Sequence, residues 1–141
     1  MSSDTRLIPH KQYARIVDSV PLLTVDAIIR HNGLYLLVKR KNEPLAGHWW
    51  VIGGRVFKGE SVEEAMRRKI KEEVGVSVGR LRFIGIYEDW YPSSAFGVPT
   101  HTCSIVFFAT IKNARIRLDG QSVAWKFGRL PVRFIKKLRK A

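Results

Sequence analysis

The sequence predicts an α/β fold in which helices cover both faces of a mixed central sheet. Three observations carry that expectation. Two apolar stretches, 22–30 and 34–40, flank His31-Asn32-Gly33, and Asn-Gly tolerates the positive φ of a tight hairpin. Trp49-Trp50-Val51-Ile52 reads as a short buried strand that runs into Gly53-Gly54 and then into a charged helix. Finally, the run Cys103-Ser104-Ile105-Val106-Phe107-Phe108-Ala109 is too continuously apolar for an edge strand facing water, so it belongs at the centre of the sheet.

Taken in order, residues 7–20 place Leu7, Ile8, Tyr13, Ile16 and Val17 at spacings that fit a short amphipathic helix ending before Pro21. The hairpin follows, and Pro44, Gly47 and their polar neighbours form a loop before the tryptophan strand. Ser61 followed by Glu64 reads as a capping box, so the charged helix begins at Val62, and Gly75 is its natural stop. Ala65, Met66, Ile70 and Val74 give this helix an apolar side, while Arg68 with Glu72 and Lys69 with Glu73 are i,i+4 pairs. Residues 81–90 form a further strand and 91–99 a loop; the central strand spans 101–111. A short strand is expected at 114–118, another short segment at 125–127, and a terminal helix from Leu130. In that helix, basic residues alternate with Leu130, Val132, Phe134, Ile135 and Leu138. The pattern is that of a helix docked on the sheet with a basic outer face.

Composition narrows the function class. At 141 residues, the chain is read as one domain spanning 1–141. No apolar run approaches the roughly 18 residues of a membrane helix, so no membrane partner is expected. The amino terminus lacks a basic-then-apolar leader and Cys103 is the single cysteine, which together point to the cytoplasm. A net charge of +13, from 25 Lys and Arg against 12 Asp and Glu, predicts attraction to nucleotides, diphosphates or nucleic acid without choosing among them. The amino-terminal segment and the exposed aromatics make a homodimer the expected assembly.

The chemistry lies in the stretch from Gly53 to Val76. Gly54, five residues, Glu60, seven residues and then Arg68-Lys69-Ile70-Lys71-Glu72-Glu73-Val74-Gly75-Val76 resembles the Nudix box, G-x5-E-x7-R-E-U-x-E-E-x-G-U with U aliphatic. The single departure is Lys69, where the family normally carries glutamate. The resemblance implies the Nudix α/β/α sandwich and a Mg2+ cofactor, with Mn2+ as a substitute. A hard cation binds through one or two carboxylates, retained waters and substrate phosphates, and adjacent Glu72 and Glu73 sit about 100° apart on a helix. By this resemblance Gly53 and Glu73 are the leading metal ligands and Glu72 is next, while Glu60 and Arg68 form a supporting ion pair. The glutamate replaced by Lys69 serves in many members as general base or metal partner, a role that a charged lysine cannot take.

Over most of its length the sequence is also similar to the GDP-mannose mannosyl hydrolase branch of the family. That similarity rests on residues 21–26, 36–40, Asn42, Pro44, 47–56 and Thr100-His101. The branch likewise lacks the glutamate at the position of Lys69, and water attacks the anomeric carbon of the sugar rather than phosphorus. This implies a nucleotide-sugar substrate and, residue by residue, Asp26, Arg55 and His101 as catalytic. Asp26, Arg40, Arg55, Arg68 and His101 would contact the substrate, with the arginine forks suited to phosphate, and Gln121 would be an additional metal ligand. The branch's base is a histidine where this chain has Ser122, which leaves Asp119, Asp26 or Glu88 and Asp89 as carboxylates able to replace it. Two alternatives remain open: a phosphorus-attacking pyrophosphatase, and a low-turnover module whose basic tail binds RNA.

Overall fold

The computed structural model describes residues 8–41, 45–118 and 122–139. Its elements run α1 (His10–Ser19), β1 (Leu22–His31), β2 (Leu34–Arg40), β3 (Trp49–Trp50), β4 (Ile52–Arg55), α2 (Val62–Val74), β5 (Arg82–Tyr91), β6 (Thr100–Thr110), β7 (Ser122–Gly128) and α3 (Val132–Arg139). The sheet orders as β3-β2-β1-β6-β5. β1 and β6 are parallel, and every other pairing is antiparallel. The expected mixed sheet is therefore present; β1 is its central strand, and the apolar run of β6 lies inside the sheet between β1 and the end strand β5. Asn32 and Gly33, at φ 51° and 78°, close the β1–β2 hairpin as the Asn-Gly pair predicts.

β1 is buried on both faces from Val25 to Ile29, and its alternation sorts the core into two layers. Val25, Ala27 and Ile29 join Ala65, Met66, Ile70 and Val74 of α2 on one side. Ile28 joins Trp50, Tyr87, Val106 and Phe134 of α3 on the other. Phe134, fully buried, meets Trp50 and Tyr87 edge-to-face at 5.5 and 5.8 Å. The tail is thus a docked helix rather than a free basic arm.

The α2 boundaries follow the signals in the sequence. Ser61 Oγ accepts from the Glu64 amide at 3.1 Å, and Gly75 adopts φ 71° at the carboxyl end.

Three expectations need correction. The tryptophan strand is not continuous: β3 pairs with β2, whereas β4 crosses to pair with β1 at residues 24–27, so the chain breaks at Val51. No strand forms over 114–118. There the Ile116 and Leu118 side chains pack on the α2-side core, and the backbone is tied by the Arg117 amide donating to the Val74 carbonyl at 2.9 Å. The 125–127 segment is longer than expected, forming the whole of β7 against β2.

Candidate active site

The strand change at Val51 brings Gly53 opposite Asp26 across the β1–β4 ladder. The approach is close. A Cβ on Gly53 would collide with Asp26 Oδ1 and lie 2.6 Å from the Val25 carbonyl oxygen, so only glycine fits here. Helix α2 packs over the same glycine turn and adds the buried Glu73 carboxylate. Gly53, Asp26 and Glu73 all line one cavity of about 300 Å3, which Arg40, Arg55 and Lys69 also enter. Three carboxylate-bearing or carbonyl-bearing positions and three cations therefore share one space.

Asp26 is the perturbed carboxylate there. Burial raises its carboxyl to about 6; the Tyr87 hydrogen bond and the field of Arg40 oppose that rise, and the negative charge of Glu73 adds to it. The Tyr87 hydroxyl donates to Asp26 Oδ2, and burial beside that carboxylate drives the phenol far above its usual range. Farther along the same wall, Lys137 of α3 donates to Asp89 Oδ2 and to the Tyr91 hydroxyl, the latter at 3.3 Å. Thr24 and Ser104 are joined through their hydroxyls. α1 and the 91–99 loop close the other side, with Tyr13 and Phe96 in ring contact at 4.7 Å. The Arg55 guanidinium lies 4.8 Å from the Tyr13 ring centroid and 4.6 Å from that of Phe57.

Glu60 and Arg68 sit behind this surface. Arg68 gives Glu60 two hydrogen bonds, at 2.7 and 3.0 Å, reaches Glu72 at 3.2 Å and donates to the Arg55 carbonyl at 3.0 Å. Glu60 also accepts from the Phe57 amide at 2.8 Å. The guanidinium hydrogen bonds from Arg68 hold the Glu60 carboxyl below its ordinary value. This cluster staples the turn after β4 to α2, and Arg68 is outside the cavity lining. Glu72 is half-exposed and engaged by Arg68.

His101 is not brought to the cavity. Thr100 and Thr102 face into it, and strand alternation sends His101 to the opposite face of the sheet. There His101 stacks on Trp90 at 4.7 Å and meets Glu88 at 2.8 Å. Gln121 and Asp119 lie outside the described residues, as do Asn42 and Pro44. Ser122 lines the cavity. Tyr87, and Lys137 through Asp89 and Tyr91, join the cavity wall although no motif marks them, and Asp89, a candidate substitute base, lines the same cavity. The odd-numbered alternation Tyr87, Asp89, Tyr91 along β5 was the available signal for the first of them; nothing local marked Lys137.

The donor set suits a hard divalent cation. Gly53 offers a carbonyl oxygen and Glu73 a carboxylate, with Asp26 adjacent. Among the described residues, no group of three His, Cys, Asp or Glu side chains forms a closed cage.

Comparison with known proteins agrees with this geometry. The model of the NUDIX domain matches residues 20–133. The chain is 39% identical over 119 residues to the low-salt glycan biosynthesis protein Agl8 of Haloferax volcanii, covering 83% of this chain and 76% of that one. It is 39% identical over 98 residues to an ADP-ribose pyrophosphatase of Methanocaldococcus jannaschii, covering 69% of this chain and 55% of that one. Among solved structures, a MutT NUDIX hydrolase from Burkholderia pseudomallei superposes with a TM-score of 0.72 at 26% identity, covering 87% of this chain and 99% of the other. The glycine turn, its capped carboxylate helix and the sandwich around them thus have one explanation: the chain belongs to the Nudix family of hydrolases.

Proposed function

We propose that this Nudix hydrolase cleaves a nucleoside diphosphate sugar, GDP-mannose being the leading candidate, by water attack on the anomeric carbon to give GDP and mannose. The observation that carries the reading is the displacement of carboxylate chemistry out of the helix. Lys69 occupies the position of the usual glutamate, while a buried Asp26 faces the same cavity from β1. Nudix hydrolases generally use a divalent ion. Bound through Gly53 and Glu73, Mg2+ would neutralise the diphosphate and stabilise charge on the departing phosphate oxygen. Arg40 and Arg55 hold the phosphates, and Asp26 receives the proton of the attacking water. The hydroxyls of Thr24, Thr100, Thr102 and Ser104, beside Asp89, form a wall suited to a polyhydroxylated ring. A relative named for glycan biosynthesis supports a sugar-linked substrate.

Hydrolysis of GDP-mannose in oxygen-18 water tests the reading: label on mannose supports it and label on phosphate ends it. Asp26→Asn should lower kcat by about 100-fold or more, the range of a lost general base, and Glu73→Gln should abolish the metal dependence. A phosphorus-attacking pyrophosphatase is the second reading, favoured by the likeness to an ADP-ribose pyrophosphatase. Phosphate labelling with ADP-ribose as substrate would establish it.

We also read the molecule as a cytoplasmic homodimer. Among the described residues no helix is long and apolar enough to cross a membrane. β5 ends the sheet and exposes Phe83, Ile86 and Trp90, and an end strand that pairs with its own copy closes a twofold dimer. Sedimentation at micromolar concentration should show the dimer, and a monomer there removes this assembly.

A further inference from the structure

Lys69 is built into the cavity rather than merely tolerated. Its stem lies across Gly54: a Cβ there would meet Lys69 Cε at 2.5 Å and Cδ at 2.8 Å, so the second glycine of the turn is the track on which this side chain runs. The track ends at Glu73, whose Oε1 accepts from Lys69 Nζ at 2.9 Å. With its side chain only 16% exposed, Lys69 is held in the wall of the cavity that Gly53 and Arg55 also line. A cation thus already sits on the carboxylate that the metal would use.

From this geometry we infer that Lys69 is a resident cation of the diphosphate site, doing with a fixed ammonium part of the charge neutralisation that a metal ion would supply. The inference rests on reading the cavity as a diphosphate site. An ammonium has three donors, and Glu73 takes one of them. When a diphosphate enters, it brings oxygens that Lys69 can bond without leaving the track. A metal must instead share Glu73 with the ammonium or displace it. The same side chain therefore strengthens diphosphate binding and weakens binding of the metal alone. A purely structural i,i+4 pair would weaken the metal alone in the same way but would leave diphosphate binding unchanged, so the GDP measurement is the one that separates the two.

The experiment measures GDP and Mn2+ separately on the intact chain, by calorimetry for GDP in EDTA and by loss of the free-Mn2+ paramagnetic signal without nucleotide. Wild type should bind GDP in EDTA. Lys69→Gln should weaken that binding by about tenfold or more, as expected for losing a hydrogen bond from a charged donor, and should bind Mn2+ more tightly than wild type. Lys69→Arg, which keeps the charge, should stay near wild type in GDP affinity, so a folding defect in the glutamine variant does not decide the question. Equal GDP affinity in wild type and both variants, or Mn2+ affinity unchanged by Lys69→Gln, overturns the inference. If wild type binds no GDP even with Mn2+ present, the diphosphate reading of the cavity falls instead.

Discussion

Glu60 shows how a residue that never enters the cavity can still govern it. Its carboxylate links the Phe57 amide to the Arg68 guanidinium, and Arg68 in turn holds the Arg55 carbonyl, so the end of β4 and the turn after it are tied together through a single carboxylate. Glu60→Gln keeps the shape but loses the charge-assisted pair, with an expected cost of about 2 kcal/mol. The pH dependence has a definite sign. A carboxyl held below its ordinary value of 4.5 is protonated less readily in the folded state than in the unfolded chain. Its stabilisation is therefore fully present above that value and is lost as pH falls below it. Melting curves of wild type and Glu60→Gln should differ by a constant amount from about pH 8 to 5 and converge below about 4.5. A gap that widens on acidification would contradict the assignment. Glu60 and Arg68 were legible in the sequence because the box fixes their spacing. The face on which His101 lies, away from the cavity, was not legible, because a strand's two faces alternate residue by residue and a matched motif gives no phase.

At the scale of elements, the turn between β4 and α2 depends on glycines for two different reasons. Gly53 is required by contact: its Cα faces the Asp26 carboxylate and the Val25 carbonyl, so Gly53→Ala must push β4 off β1. Gly75 is required by conformation, since φ 71° with an alanine side chain costs about 1 to 2 kcal/mol. Calorimetry of the two variants should show Gly75→Ala destabilised by that amount with GDP affinity retained. Gly53→Ala should lose about 1 to 3 kcal/mol, as overpacking does, and should also lose GDP binding. A Gly53→Ala variant that binds GDP normally would mean β1 and β4 are not held in this register. Helix α2 was the most legible element, having a cap, an apolar side and a glycine stop within one stretch. The break at Val51 was hidden because Trp49-Trp50-Val51-Ile52 is uniformly apolar, and nothing in such a run says which neighbour each half will pair with.

At the scale of the whole molecule, the net charge of +13 has to be divided between what folds the chain and what attracts ligands. The terminal helix does both. Lys137 pairs with Asp89 across 48 residues of sequence, a tertiary contact that no local periodicity announces, and Phe134 fills the core between β3 and β5. Deleting the tail would therefore damage the cavity wall along with any nucleic-acid patch, so truncation cannot separate the two roles. Arg133, Lys136 and Arg139 are exposed and can be changed without touching the core. Charges on such a surface act at a distance through a field that salt screens, with a Debye length of about 10 Å at 0.1 M ionic strength. The association rate of an anionic nucleotide should accordingly fall as salt rises, and neutralising those three residues to glutamine should make that dependence shallower. Phe134→Ala should instead lower the melting temperature, by about 3 to 5 kcal/mol of stability for a buried aromatic, without altering the salt slope of the fraction that stays folded. If the triple variant keeps the full slope, the attraction comes from other cations of the chain, the cavity's Arg40, Arg55 and Lys69 among them, and the outer face of the tail contributes solubility alone.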